Sequence, residues 1–361
     1  MFPFNFLVMA LAAVGPLLSG GHGWVRRGSS PDCIQRFVTD TSNPPVVYGA
    51  GTATGVLYRS GDGGSSWTPI NRPPGFLSSL LVSPTRSSTL FAVSEGFYVS
   101  RDSGVSWERS LSAPPYLSGP LIQDPFDSDT MYVATSCCFG RSHFTPEVWV
   151  TADAGTHWSL RSGGLSQGGG AEFILGLIAH PREPGVLLAS LTTGVYRTAD
   201  QGRSWTRLSE TDVGALAGFD SGSELVWATK AGMVWRSLDG GGSWDAVNVR
   251  LNPESGGVPY VHGLVADPVR PNTAYAVVDT DWYGSYFDSG VQQTRDAGSS
   301  WTIPSGIPGS EATRPGFPPV QSRWVRGLSA SREGSLWVSA CGESNDVYVL
   351  DGRSTREIDP R

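Results

Sequence analysis

The stretch Asp279-Thr280-Asp281-Trp282-Tyr283-Gly284-Ser285-Tyr286-Phe287-Asp288 sets three carboxylates among four aromatic rings. Paired carboxylates can act as acid and base, or acid and nucleophile, in glycoside hydrolysis. Aromatic rings offer platforms for sugars or peptides. Asp279, Asp281 and Asp288 are therefore candidate catalytic residues, and Trp282, Tyr283 and Tyr286 candidate ligand contacts. The bland alternative is a loop that uses its rings as a private core.

Three further segments carry binding chemistry. One is Ser136–Glu147, with Arg141 and His143. A second runs from about Asp245 to Gly263, with Glu254, Tyr260 and His262. The third runs from Thr302 to Gly327, with Glu311, Arg314, Arg323, Trp324 and Arg326. Guanidinium groups so clustered could bind an anionic group, but the favoured bland reading is solvated surface arginines. Gly164-Leu165-Ser166-Gln167-Gly168 has the spacing of a nucleophile elbow but lacks the strand-to-helix context that makes it one. The cysteines and five histidines show no metal-ligand spacing, so the sequence calls for no cofactor and no metal.

These segments interrupt a repeat, and the repeat must position them. The pattern Ser/Thr-x-Asp-x-Gly-x-Ser/Thr-Trp occurs at Ser60–Trp67, Ser100–Trp107, Thr198–Trp205, Ser237–Trp244 and Thr294–Trp301. It occurs once more at Thr151–Trp158, with His157 at the hydroxyl position. The box carboxylates are Asp62, Asp102, Asp153, Asp200, Asp239 and Asp296, and the box indoles are Trp67, Trp107, Trp158, Trp205, Trp244 and Trp301. A catalytic acid is not needed six times, so these residues read as structural. The Asp should accept turn N–H groups, the Gly should supply a positive φ, and the Trp should bury its ring between layers.

A short apolar strand precedes each box, and two more lie upstream, with turns such as Asp124-Pro125 and Asp267-Pro268 between them. The unit is one four-stranded blade. Box Asp residues recur at blade-sized intervals. A last unit, Leu328–Ala330, Ser335–Cys341 and Asp346–Leu350, lacks a proper box; Arg356–Asp359 would supply its final strand. The expected fold is all-β, a single seven-bladed β-propeller over residues 33–361; without the last unit the ring has six blades.

Composition agrees. Gly 46, Pro 26 and Trp 13, with only 16% charged residues, suit an all-β chain dense in turns. The net charge of −7 argues against a nucleic-acid partner. Lys230 is the only lysine. Phe6–Leu18 is apolar and of signal-peptide length, and Ser19-Gly20-Gly21 offers small residues for cleavage. Residues 1–21 thus read as a signal peptide, or as an uncleaved anchor and the one route to a membrane, followed by an N-terminal segment 22–32. Export would make the protein extracellular, periplasmic or cell-surface.

The boxes resemble those of the Asp-box, or bacterial neuraminidase repeat, propellers, over about residues 37–359. That superfamily includes sialidases, xyloglucan-cleaving glucanases, sortilin-type receptors and photosystem assembly factors. The resemblance implies the fold and leaves the function open. No Phe-Arg-Ile-Pro-like motif precedes the first box, as it would in sialidases. Xyloglucanases resemble two such propellers in tandem. The expected role is an exported ligand-binding or scaffold module for a carbohydrate or a protein or peptide. The alternatives are a glycoside hydrolase and an assembly factor for a membrane complex.

In such a propeller the box joins strands three and four of a blade on one face. Loops joining strands two and three, and the linkers between blades, lie on the other. Cys33 precedes the first strand of blade 1 and Cys341 ends the second strand of blade 7. Ring closure makes these blades neighbours, so a Cys33–Cys341 disulfide is expected. Cys137 and Cys138 form either a vicinal bridge, the favoured reading, or buried thiols.

Overall fold

The computed structural model describes residues 24–51, 55–114, 117, 119–135, 145–165, 172–247, 249, 258–282, 286–304, 324–342 and 345–350. Arg141, His143, Tyr283, Arg314, Arg323, Cys137 and Cys138 lie outside them. Seven sheets follow one another along the chain, arranged as a β-propeller. Blade 1 runs Ile34–Thr39, Val47–Gly51, Leu57–Ser60 and Thr68–Ile70, from the central axis outward. Blades 2 to 5 repeat that order with antiparallel pairing. Among the described residues blade 6 has three strands, Val258–Ala266, Ala274–Trp282 and Tyr286–Thr294. A single bridge, Gln293 to Thr302, stands where its fourth strand would be.

Blade 7 corrects the sequence reading. Its three inner strands are Trp324–Ala330, Leu336–Cys341 and Asp346–Leu350, and the outer place belongs to Val25–Ser29. The expected closing strand, Arg356–Asp359, lies outside the described residues, and the edge it was to pair with is already occupied. The segment set apart as 22–32 therefore contributes a strand to the ring. Val-Arg-Arg-Gly-Ser has no apolar alternation, because an outermost strand has little to bury; its residues are almost all exposed.

Seven apolar clusters hold the ring, one at each seam between neighbouring blades. The cluster of Ile34, Phe37 and Trp67 from blade 1 with Trp337, Val347 and Val349 from blade 7 is the closing seam. Each box indole joins the seam with the preceding blade: Trp107 packs with Tyr48 and Leu57, and Trp205 with Tyr132 and Val148. Trp107 Nε1 donates to the Asn71 carbonyl and Trp205 Nε1 to that of Arg161, each in the chain leaving the previous blade.

The boxes share one geometry. In blade 4, the Thr198 hydroxyl donates to Asp200 Oδ1 at 2.7 Å and accepts the Gly202 N–H at 3.0 Å. Ser204 gives Asp200 both its N–H and its hydroxyl, at 2.9 and 2.6 Å. The residue between Asp and Gly is left-handed as well, Gln201 at φ 60° and Ala154 at φ 56°. The N–H of that residue reaches the strand-one-to-two turn of its own blade, as in Gln201 to Gly185 and Ala297 to Asn272. Boxes and those turns thus knit one face together.

Candidate binding face

On the face opposite the boxes, blade 6 outgrows its neighbours. Its strands have nine residues each, and the pairing of Ala274–Trp282 with Tyr286–Thr294 continues to Trp282 and Tyr286. The acid- and aromatic-rich stretch is therefore the end of a hairpin rather than an irregular loop. Asp279 pairs with Ser289, Thr280 with Asp288 and Asp281 with Phe287. The three candidate acids do not share one cross-strand row.

The segments taken as linkers hold strands. Asp245–Val247 is the outer strand of blade 5, and Tyr260 and His262 belong to the inner strand of blade 6. Trp324 and Arg326 belong to the inner strand of blade 7. Among the candidates whose side chains are described, the structure brings together Tyr260, His262 and Asp279.

His262 is a bulge residue. The ladder pairs Val261 with Val278 and then Gly263 with Val277, leaving His262 without a partner. A bulge inserts one residue and re-aims its side chain. His262 Nε2 lies against Asp279 Oδ2. Asp279 is 9% exposed, while Tyr260 beside it is 52% exposed. The Tyr260 and His262 rings meet edge-on at 5.0 Å.

Blade 5 supports this group. The Val261 N–H donates to the Gly232 carbonyl at 2.8 Å. Gly232 sits at φ +75°, and a Cβ there would come within 2.4 Å of the Tyr260 ring. Just before it, Lys230 Nζ pairs with Asp212 at 2.9 Å and donates to the Asp212 carbonyl. Met233, 47% exposed, follows. The result is an open aromatic ring and a thioether, beside a histidine–carboxylate pair and a lysine–carboxylate pair. Sequence reasoning missed the blade 5 partners because only the ring brings residues 212–233 beside residues 260–279. It missed Glu172 too, a 5% exposed carboxyl leading into blade 4 whose Oε2 has no hydrogen-bond partner among the described residues.

Arg332, in the first turn of blade 7, reaches across to Gln123 of blade 3 at 2.6 Å. Burial lowers the pKa of that guanidinium.

The box face carries strong electrostatics without an evident reaction. Each box carboxyl is held down to about 2. The main cause at Asp62, Asp102, Asp200 and Asp296 is the hydroxyl of the later Ser, joined by its N–H. Hydrogen bonds to the charged form favour it. At Asp153, desolvation opposes and the His157 N–H and ring prevail.

One cluster there, His180, Glu183 and Glu224, has its ligand atoms within 4.8 Å of one another. His180 Nδ1 accepts the N–H groups of Arg182 and Glu183 at 3.2 and 3.0 Å. The neutral ring must then carry its proton on Nε2, which faces Glu224 at 3.4 Å. A protonated Nε2 cannot ligate a metal, so the ring serves as a turn anchor, as Asp124 and Asp267 do in their blades.

No protein-family model matches the chain. A curated xyloglucanase of Paenibacillus sp is 24% identical over 320 residues, covering 78% of this chain and 27% of the relative. Among solved structures, the GH74 xyloglucanase from Xanthomonas campestris superposes with a TM-score of 0.61 at 14% identity, over 92% of this chain and 54% of that one. YCF48 bound to D1 peptide superposes with a TM-score of 0.58 at 15% identity, over 93% of this chain and 98% of that one. The chain thus spans about a quarter of the curated relative's length and about half of the first of these structures. At such identities the likeness establishes the propeller fold expected from the boxes.

Proposed function

We propose that this propeller is a non-catalytic binding module that captures a peptide segment on the face opposite its boxes, centred on the seam of blades 5 and 6. One observation carries the reading. Tyr260 stands half-exposed over His262, whose Nε2 is engaged with the buried Asp279. An open ring backed by fixed polar groups suits capture, since aromatic anchors dominate binding energy. A free general acid would need a carboxyl aimed at substrate; Asp279 is turned to its histidine instead. The likeness over nearly the full length of a peptide-bound propeller points the same way.

The second reading is a glycoside hydrolase, favoured by the xyloglucanase likenesses and by Asp279 and Asp281 two residues apart on one strand. Assembly of a membrane complex is a narrower form of the first reading. The disulfide fits an oxidising compartment, and export is part of the proposal. Among the described residues no helix is long and apolar enough to cross a membrane.

A peptide array together with a panel of fluorogenic xyloglucan, β-glucan and sialic acid glycosides tests the choice. Peptide capture lost in Tyr260→Ala, with no turnover of any glycoside, supports binding. Turnover abolished by Asp279→Asn or Asp281→Asn would replace it with hydrolysis.

A further inference from the structure

The ring contains two seams built to one plan, and they differ where a guanidinium belongs. At the seam of blades 5 and 6, Trp227 lies beneath the box glycine Gly298, whose Cβ position is 3.0 Å from the indole. At the seam of blades 7 and 1, Trp337 lies beneath Gly64 in the same way, at 2.9 Å. Register makes the comparison position by position: Trp227 pairs with Arg236, and Trp337 pairs with Val349.

At the first seam two guanidinium groups bond to the corresponding turns. Arg236 Nη1 donates to the Ala297 carbonyl, one residue before Gly298. Arg270 Nη1 donates at 2.8 Å to Asp267 Oδ2, the turn carboxylate of blade 6. At the second seam neither of these two positions carries arginine, and Arg27 of the outer strand lies on the wall instead. Val349 stands in place of Arg236, and Asn43, three residues after Asp40, stands in place of Arg270, three after Asp267.

What remains is a cavity of about 150 Å³ on the box face, lined by Asp40, Asn43, Gly63, Trp337 and Val349, with Arg27 and Glu333 also on its wall. Asp40 is 4% exposed. Its Oδ1 accepts the N–H groups of Ser42 and Val46 at 3.1 and 2.8 Å. Its Oδ2 is buried without a hydrogen-bond partner among the described residues, a costly state for a charged oxygen. Among the described residues the walls carry Asp40, Asp62 and Glu333 beside Arg27, so the charge of the described lining favours a cation.

We propose that this cavity binds a guanidinium group, supplied by an arginine of a partner polypeptide. The cation takes up the place that Arg236 and Arg270 occupy internally at the other seam. It donates to Asp40 Oδ2 and to the Gly63 carbonyl, the counterpart of that of Ala297. Planar, multi-donor geometry favours guanidinium over ammonium here. The site lies on the face opposite the aromatic group and stands independently of it.

Calorimetric titration with N-acetylarginine amide, its neutral citrulline counterpart and a Gly-Gly-Arg-Gly-Gly peptide tests the site on the whole protein. Arginine amide should bind and citrulline amide should not. Tighter binding of the peptide assigns the source to a polypeptide, and equal binding to a free guanidinium compound, each upholding the pocket. Asp40→Asn keeps the Oδ1 acceptor and replaces Oδ2 by an amide donor, so it should weaken binding about tenfold or more. Val349→Arg should fill the cavity from within, abolish binding and raise the melting temperature. Should that variant fail to fold, Asp40→Asn and the citrulline control decide alone. No binding by the wild type, equal binding of citrulline amide, or unchanged affinity in Asp40→Asn overturns the proposal.

Discussion

Cys33 and Cys341 stand 308 positions apart in the chain, yet their Cα atoms are 5.3 Å apart and their sulfurs are bonded. The bridge joins the start of blade 1 to the second strand of blade 7. It works beside other ties across the same seam. The Ser339 hydroxyl donates to the Ile34 carbonyl, and the Ser329 hydroxyl accepts the Phe37 N–H at 3.1 Å. Within blade 7, Arg26 and Ser29 of the outer strand both donate to the buried Asp346, at 2.8 and 2.7 Å. The two ends of the described chain are thus locked where the ring closes.

Removing the bridge should loosen the whole ring. A cross-link spanning so much chain restricts the unfolded state strongly, so Cys33→Ser with Cys341→Ser should cost about 2–5 kcal/mol. Denaturant melts of the wild type with and without reductant, beside the double variant, check this. A midpoint indifferent to reductant would refute it.

Two glycines after inner-strand bulges should answer differently to the same substitution. A Cβ at Gly327 would sit 2.5 Å from the Ile34 carbonyl oxygen, which is backbone and cannot give way. Gly327→Ala should destabilise by about 1–3 kcal/mol. At Gly263 the nearest atoms would be 3.8 Å away, so Gly263→Ala should stay within about 0.5–1 kcal/mol of wild type. Thermal melts compare them, and equal losses would contradict the account.

Acid should weaken the box face late. Folded box carboxyls titrate at about 2, against an ordinary value near 3.9 in the unfolded chain. A depressed folded value stabilises the native state fully above the unfolded value and loses that contribution as pH falls through the folded one. The melting temperature should therefore hold down to about pH 4–5 and decline between about pH 4 and pH 2. The variant Asp200→Asn should decline less steeply over that window. A flat profile from about pH 5 to pH 2 would contradict this.

The box hydroxyl should matter more than its exposed partner. Thr198 is 2% exposed and accepts the buried Gly202 N–H. Thr198→Val keeps the shape and strands that donor, at a cost of about 1–3 kcal/mol. Ser204→Ala removes a hydroxyl from an exposed site and should cost less. Chemical denaturation of both variants ranks them, and the reverse order would count against the box geometry described above.

Tyr260 should serve binding rather than folding. It is half-exposed, so Tyr260→Ala should leave the melting temperature nearly unchanged while weakening capture of a peptide by about tenfold, as loss of an aromatic anchor does. Parallel melting and binding measurements separate the two effects. A large loss of stability with unaltered affinity would make the ring a structural element.

The sequence by itself determined the blades. The box is a local device: its Asp, hydroxyl and Gly lie within eight residues and close their own hydrogen bonds, so their spacing can be read without the rest of the chain. The Cys33–Cys341 pairing followed once two cysteines were assigned to neighbouring blades. Tertiary structure alone decided what depends on distant chain. Val25–Ser29 closes blade 7 through backbone pairing with Asp346–Leu350 and two side-chain bonds to Asp346, partners more than 300 positions away that no local pattern announces. His262 meets Asp279 because a bulge shifts one strand against the next, and Tyr260 rests on Gly232 because blades 5 and 6 touch. The cavity beside Asp40 brings together Val349 and Asn43, far apart in sequence, at positions where the matching seam carries arginine. Each is a relationship between strands, and strand register and ring closure set it.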